Sequence, residues 1–321
     1  MTYSQGGLIQ ATDYNGFVST TSGANVNGIW GTGTTDSGYG QSALGTVSAA
    51  GTVTATQWAS LVNTISSIAS HQGTTITSRS APTAGNTISI LAALNTDLTN
   101  CTNNRGNAVA NGTQVTTFSG TTSKTTDTSG AFTITFTHTI TFASADAARY
   151  FFNAGGRIKW ETNKSSTGNL GDAEWNDLAS TLVGDIYITG GTATQTIAGV
   201  SYTGTTKTGG TGSPTTLATT TGWYDLTTSD TLIYKQFADT APYTANFIQI
   251  NAKTAGSGTQ LVLTTAWSNP EGDTITGGTA TSSPFSSFGT APATVVTYFP
   301  PSATYLTTAS WGTPTIAASV A

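Results

Sequence analysis

The sequence predicts a mainly β fold with α segments, an α+β chain, and three observations carry that expectation. From Phe132 to Phe142 large side chains alternate strictly with threonine, the period-two pattern of a strand with one buried face. Upstream, two stretches repeat apolar residues every three or four positions, the period of a helix. The chain is rich in threonine and glycine yet only 8% charged, where soluble domains carry about 25%. Threonine is β-branched and suits strands, and glycine suits tight turns.

Composition also excludes function classes. With 15 acidic and 10 basic side chains the net charge is −5, too few cations to line a nucleic-acid phosphate backbone. A single cysteine, Cys101, excludes an internal disulfide framework and a thiolate metal cluster. Two histidines, His71 and His138, leave little for an imidazole metal site, and no cofactor or metal is expected. Disorder is disfavoured by 7 Trp, 11 Tyr and 12 Phe with 36% hydrophobic residues, enough for a sizeable core. Met1–Gln10 lacks the basic and apolar regions of a signal peptide, and no apolar run reaches the ~18 residues of a membrane span, so no membrane insertion is expected.

Residues 1–50 carry Tyr3, Tyr14, Phe17, Trp30 and Tyr39 at irregular spacing and read as an extended docking arm. Residues 51–112 read as a helical hairpin. Thr54-Ala-Thr-Gln57 is a capping box, and Trp58, Leu61, Val62, Ile65 and Ile68 form one apolar stripe on a helix of about 55–70. Ile88, Leu91, Leu94, Leu98 and Cys101 form a second stripe on a helix of about 87–102. Both stripes are narrow, so neighbouring copies are expected to cover them. That makes Trp58, Leu61, Val62, Ile65, Ile68, Leu91, Leu94 and Leu98 candidate interface residues of a homo-oligomer, with a trimer favoured.

Residues 113–190 hold the long strand, with His138 on its apolar face, and then a small α+β segment. Ser144 caps a helix of 145–153 that Ala154-Gly155-Gly156 ends through a left-handed residue. A strand at 157–161 follows, and Asp172 opens a helix with Glu174 and Asp177 in its first turns, where the dipole favours anions. Residues 191–321 read as an antiparallel sandwich, jelly-roll-like, with strands at 222–226, 231–237, 243–251, 260–267 and 293–299. The strand at 185–189 precedes it, and no helix is expected after Pro301.

Enzyme chemistry finds little support. There is no Gly-x-Ser-x-Gly elbow, and the Gly-Gly pairs precede neither a helix nor a Lys-Ser/Thr. Asp172, Glu174 and Asp177 read as capping acids before they read as a glycosidase pair. Asp225 with Asp230, and Glu271 with Asp273, read as turn formers before calcium ligands. Sugar binding is the alternative, with Trp223, Tyr224, Tyr243 and Trp267 available to stack on a host surface glycan from a threonine-rich surface.

The segment Asp146-Ala-Ala-Arg149-Tyr-Phe-Phe-Asn-Ala-Gly-Gly156, followed by Arg157-Ile-Lys-Trp160, resembles the ARYFFNAGG segment of virion structural proteins from tailed phages, notably those of cyanobacteria. Tyr39-Gly-Gln41, Thr54-Ala-Thr-Gln-Trp58, His71-Gln-Gly73 and Trp175-Asn-Asp-Leu178 extend the similarity over about 39–190. The resemblance implies a non-enzymatic virion component: a fibre, whisker or tail- or neck-attached protein. It also implies a location in the virion and partners among other phage structural proteins, met through residues 1–50. It implies no catalytic residue. A carbohydrate-binding adhesin module at a fibre tip is the alternative function.

Overall fold

The alternating stretch becomes a central strand of the larger of two antiparallel sheets in the computed structural model, which describes residues 10–19, 24–85, 91–115, 119–121, 131–166, 170–241, 243–270 and 291–321. The helices are α1 (Ala11–Val18), α2 (Val26–Ile29), α3 (Ala55–Gln72), α4 (Leu91–Asn103), α5 (Ala145–Asn153) and α6 (Leu170–Asp177), the last running into a π-turn at Leu178–Leu182. The strands are β1 (Ser119–Thr121), β2 (Phe132–Thr141), β3 (Arg157–Asn163), β4 (Asp185–Ile188), β5 (Gln195–Ile197), β6 (Val200–Tyr202) and β7 (Thr205–Thr208). They continue as β8 (Thr216–Leu217), β9 (Thr231–Phe237), β10 (Phe247–Ala255), β11 (Gln260–Asn269), β12 (Ala293–Phe299) and β13 (Thr315–Val320). The chain is a mainly β α+β fold.

The six-stranded sheet runs β13-β2-β11-β10-β9-β8 and the five-stranded sheet β1-β12-β3-β4-β7, with β5-β6 as a separate hairpin. Along β2 the apolar positions are buried and the threonines largely intermediate, as a period of two requires. Inner-face residues of both sheets, among them Phe136, Trp267, Ile158 and Val296, share one core. The Trp160 indole donates to Thr265 Oγ1 at 2.8 Å, linking β3 to β11 across that core.

The sheets overturn the expected division of the chain. β2 sits in a sheet otherwise built from 191–321, and β3 in one that mixes β1 and β4 from 113–190 with β7 and β12 from 191–321, so no boundary falls at residue 190. The physical reason is long-range pairing: β3 gains its neighbour β12 with Phe299 opposite Arg157, and β2 gains β11 with Asn269 opposite Phe132. One local expectation also changes, and one strand is added. Trp223–Asp225 is a 3-10 turn capped by the Asp225 carboxylate on the Gly222 amide, and β13 adds an edge strand after Pro301.

The N-terminal arm is not extended. α1 and α2 pack into the core, where Tyr14 and Phe17 meet Trp58 edge-on at 5.5 and 6.3 Å between ring centroids. Asn15 and Asn27 tie the arm to its own return segment, each bonding both backbone groups of one residue, Val47 and Leu44 respectively. Residues 1–9 and 20–23 lie outside the described ones. α3 begins as expected: the Thr54 hydroxyl caps the Gln57 amide, and the Gln57 side chain returns a bond to the Thr54 amide.

The helical stripes are therefore closed within one chain. Trp58, Leu61, Val62, Ile65, Ile68, Leu94 and Leu98 are all buried. Leu91 opens α4, and its side chain, like residues 86–90, lies outside the described ones. Burying one such side chain is worth about 1.5–3 kcal/mol, so cover supplied by the same chain wins over cover that must await a second copy. The expectation that sister copies seal these stripes is corrected. Among the described residues no helix is long and apolar enough to cross a membrane.

Candidate functional site

The most connected polar region forms around the segment Asp146–Arg157. Ser144 caps α5 through the Ala147 amide, and Asp146 lies in its first turn beside Arg149, 3.0 Å away. Arg149 also donates to the Ser37 carbonyl at 2.9 Å. Phe151 and Phe152 face inward onto Phe142, and Phe152 stacks on Trp223 at 5.4 Å and 22°. Hydrophobic and polar faces of one short helix thus serve the core and the surface loop respectively.

Asn153 joins three chain segments. Its amide nitrogen donates to the carbonyls of Thr35, Ser37 and Gly38, at 3.3, 2.9 and 3.1 Å. Its Oδ1 accepts from the Tyr224 hydroxyl at 2.5 Å. One residue later the Ala154 carbonyl meets His71 Nε2 at 3.1 Å, so α3 is anchored here too. Burial lowers the His71 pKa to about 4, only partly offset by that bond. Gly155 then adopts φ +92°, the left-handed end expected of Ala154-Gly155-Gly156.

Arg157 closes the region in an aromatic box. Its guanidinium lies over the rings of Phe299, Tyr202 and Tyr187, at 4.3, 4.9 and 5.6 Å, and Nη1 donates to Asn111 Oδ1 at 2.7 Å. Only 3% of the residue is exposed, and burial lowers its pKa, with the neighbouring tyrosines acting against that.

Beside Asn153 opens a cleft of about 210 Å³ lined by Asp36, Arg105, Asn107, Gln195, Tyr224 and Asp225 among others. Its charges are already engaged. Arg105 pairs with Asp36 at 2.6 Å and donates to the Thr102 carbonyl, while Asp225 caps the Gly222 amide. What remains to a visitor is amides and hydroxyls.

The aromatics expected to stack on sugars are placed differently. Trp267 is fully buried, stacked on Trp175 at 5.7 Å, and Trp223 is buried against Phe152. Tyr224 borders the cleft with its hydroxyl engaged by Asn153, and Tyr243 is half-buried beside Glu174. The four share no platform, and the glycan-contact reading is corrected: the large flat rings fill the core because burying them there outweighs exposing them.

The acids also separate. Asp172 forms an ion pair with Lys164, both side chains fully buried, while Glu174 and Asp177 gather with Asp239. Asp230 pairs with Lys253 at 3.2 Å, and Glu271 and Asp273 lie outside the described residues. His138 is fully buried on the inner face of β2. Burial lowers its pKa to about 4, and the Thr294 backbone opposes that only in part.

Sequence reasoning missed the Asn153 hub and the Arg157 box, because their partners lie in distant loops. The only available signal was that one short segment packs Arg, Asn and Arg between aromatics. The arrangement is an α+β fold in which, among the described residues, the polar network at Asn153 ties internal segments together. No protein-family model matches the chain, and no curated protein or solved structure matches it.

Proposed function

We propose that the chain is a non-enzymatic structural component of a tailed-phage particle, a fibre, whisker or tail- or neck-attached protein. One observation carries the reading: the ARYFFNAGG-type segment that resembles virion proteins is the segment on which the fold is tied together. Asn153, His71 and Arg157 join it to the N-terminal loop, α3 and β12. A segment with that task would be kept for architecture, which accords with a particle component. A low-charge, threonine-rich surface on two antiparallel sheets suits the same role.

The helical stripes are closed within one chain and the described residues of 1–50 pack on the core, so neither a trimer seam there nor a free arm is part of this proposal. Attachment to other particle proteins through the described part of 1–50 would use its exposed surface. Quantitative mass spectrometry on gradient-purified phage particles tests it. The chain is expected at a fixed copy number per particle, retained through high-salt washing. Recovery only in the soluble fraction of the lysate overturns it. Light scattering on the purified chain then gives its own assembly state.

A further inference from the structure

Glu174 and Asp177 sit three residues apart on α6 and so share a helix face. Asp239 follows β9 and is brought to them by the loop that leads into β10. One carboxylate oxygen from each of the three lies within 4.8 Å of the others. Among the described residues, no lysine, arginine or histidine forms an ion pair with any of them.

Like charges at that separation repel, and one of them is barely hydrated. Glu174 is 6% exposed, and its Oε1 is shut from water with no hydrogen bond. A buried carboxylate oxygen without a partner is costly and rare in folded proteins. Burial, and then the Asp177 charge, raise the Glu174 pKa, with Thr240 acting against them. Asp177 is half-buried and Asp239 exposed, so the group is open to solution on one side.

We propose that Glu174, Asp177 and Asp239 bind a divalent cation, calcium. Oxygens on one calcium at about 2.4 Å stand at most about 4.8 Å apart, the span seen here. The donor set is all oxygen and carries three negative charges, which suits a hard cation. Thr240, whose hydroxyl donates to Asp239 Oδ1 at 3.2 Å, places a further oxygen beside the site. Magnesium demands a tighter octahedron and holds its waters, so it fits a mixed helix-and-loop site less well. A bound ion would neutralise the buried Glu174 carboxylate and clamp α6 to the β9–β10 loop.

Calorimetric titration of the purified chain with calcium chloride, paired with thermal unfolding, tests this. One calcium per chain and a higher unfolding midpoint in calcium are expected, with weaker binding of magnesium. Asp239→Asn, at an exposed loop position, keeps the fold by circular dichroism and weakens calcium binding by more than roughly tenfold. Glu174→Gln removes the calcium response and raises the midpoint of the metal-free protein, because it deletes a buried charge that no cation faces. Absence of binding heat and of any midpoint shift overturns the proposal. So does an equal calcium response in Asp239→Asn, or tighter binding of magnesium.

Discussion

Lys164 and Asp172 face each other as an ion pair with both side chains entirely withdrawn from water. The lysine follows β3, and the aspartate lies in the first turn of α6, so the pair fastens the helix to the sheet it leaves. Lys164 Nζ donates also to the Ser165 carbonyl at 3.2 Å. Two desolvated charges gain little over an apolar pair of the same shape, but either one alone is expensive. Lys164→Met is therefore expected to cost about 3–5 kcal/mol in urea unfolding, and Lys164→Met with Asp172→Leu to recover most of that loss. Equal destabilisation by the single and double variants would contradict it.

Gly40 takes φ +68°, and a Cβ there would lie 2.4 Å from the Tyr150 ring. Tyr150 is held by α5 and by Arg149 over its face, so the ring has little room to retreat. Gly40→Ala combines left-handed strain of about 1–2 kcal/mol with that overlap, and should lower stability by at least about 2 kcal/mol. Gly45→Ala is the control, since a Cβ at Gly45 meets nothing within 4 Å and its φ is not positive. Thermal melts of the two variants should separate clearly.

The Arg157 box predicts a failure of charge conservation. Lysine keeps the positive charge but cannot lie flat on three rings while donating to Asn111. Arg157→Lys should lose about 2–3 kcal/mol, close to the loss for Arg157→Met, because planarity and not charge holds the box together. Urea midpoints close to wild type for the lysine variant would refute this.

These features differ in how far the sequence discloses them. β2 was legible because each apolar residue alternates with threonine, and α3 because Thr54 and Gln57 announce its start. The cover over α3 was not legible, since Tyr14 and Phe17 stand on a helix of only 8 residues, too short a run of helical spacing to stand out from the flanking threonine- and glycine-rich chain. β13 was hidden because Thr315–Val320 is a mostly exposed edge on which Ile316 packs against the core while Val320 stays exposed. The interleaving of the two sheets escaped because β3 and β12 are brought together only by the folded topology. Asp239 carries no local signal at all: it joins Glu174 and Asp177 through the β9–β10 turn, which sequence spacing cannot show.

Acid sensitivity follows from the two histidines. His71 sits under the Tyr39 ring and against the Ala154 carbonyl, and His138 sits between the sheets. Both are neutral in the folded protein because burial lowers each pKa from 6.5 to about 4. The unfolded chain therefore binds more protons than the folded one between those values. Stability contributed by the neutral rings is complete above the unfolded pKa and is lost as pH falls toward the folded one. Each histidine adds a slope approaching about 1.4 kcal/mol per pH unit inside that window. Glu174, whose pKa is raised from 4.5, acts with the opposite sign as it titrates, so measurements between about pH 5 and 7 are made on the Glu174→Gln background as well. Urea midpoints across that range should fall with acidification in the wild-type protein. His138→Leu, which fills an apolar site without a titrating group, should halve the slope while leaving the His71 contribution in place. A variant whose slope equals that of wild type would show that His138 does not govern the acid response.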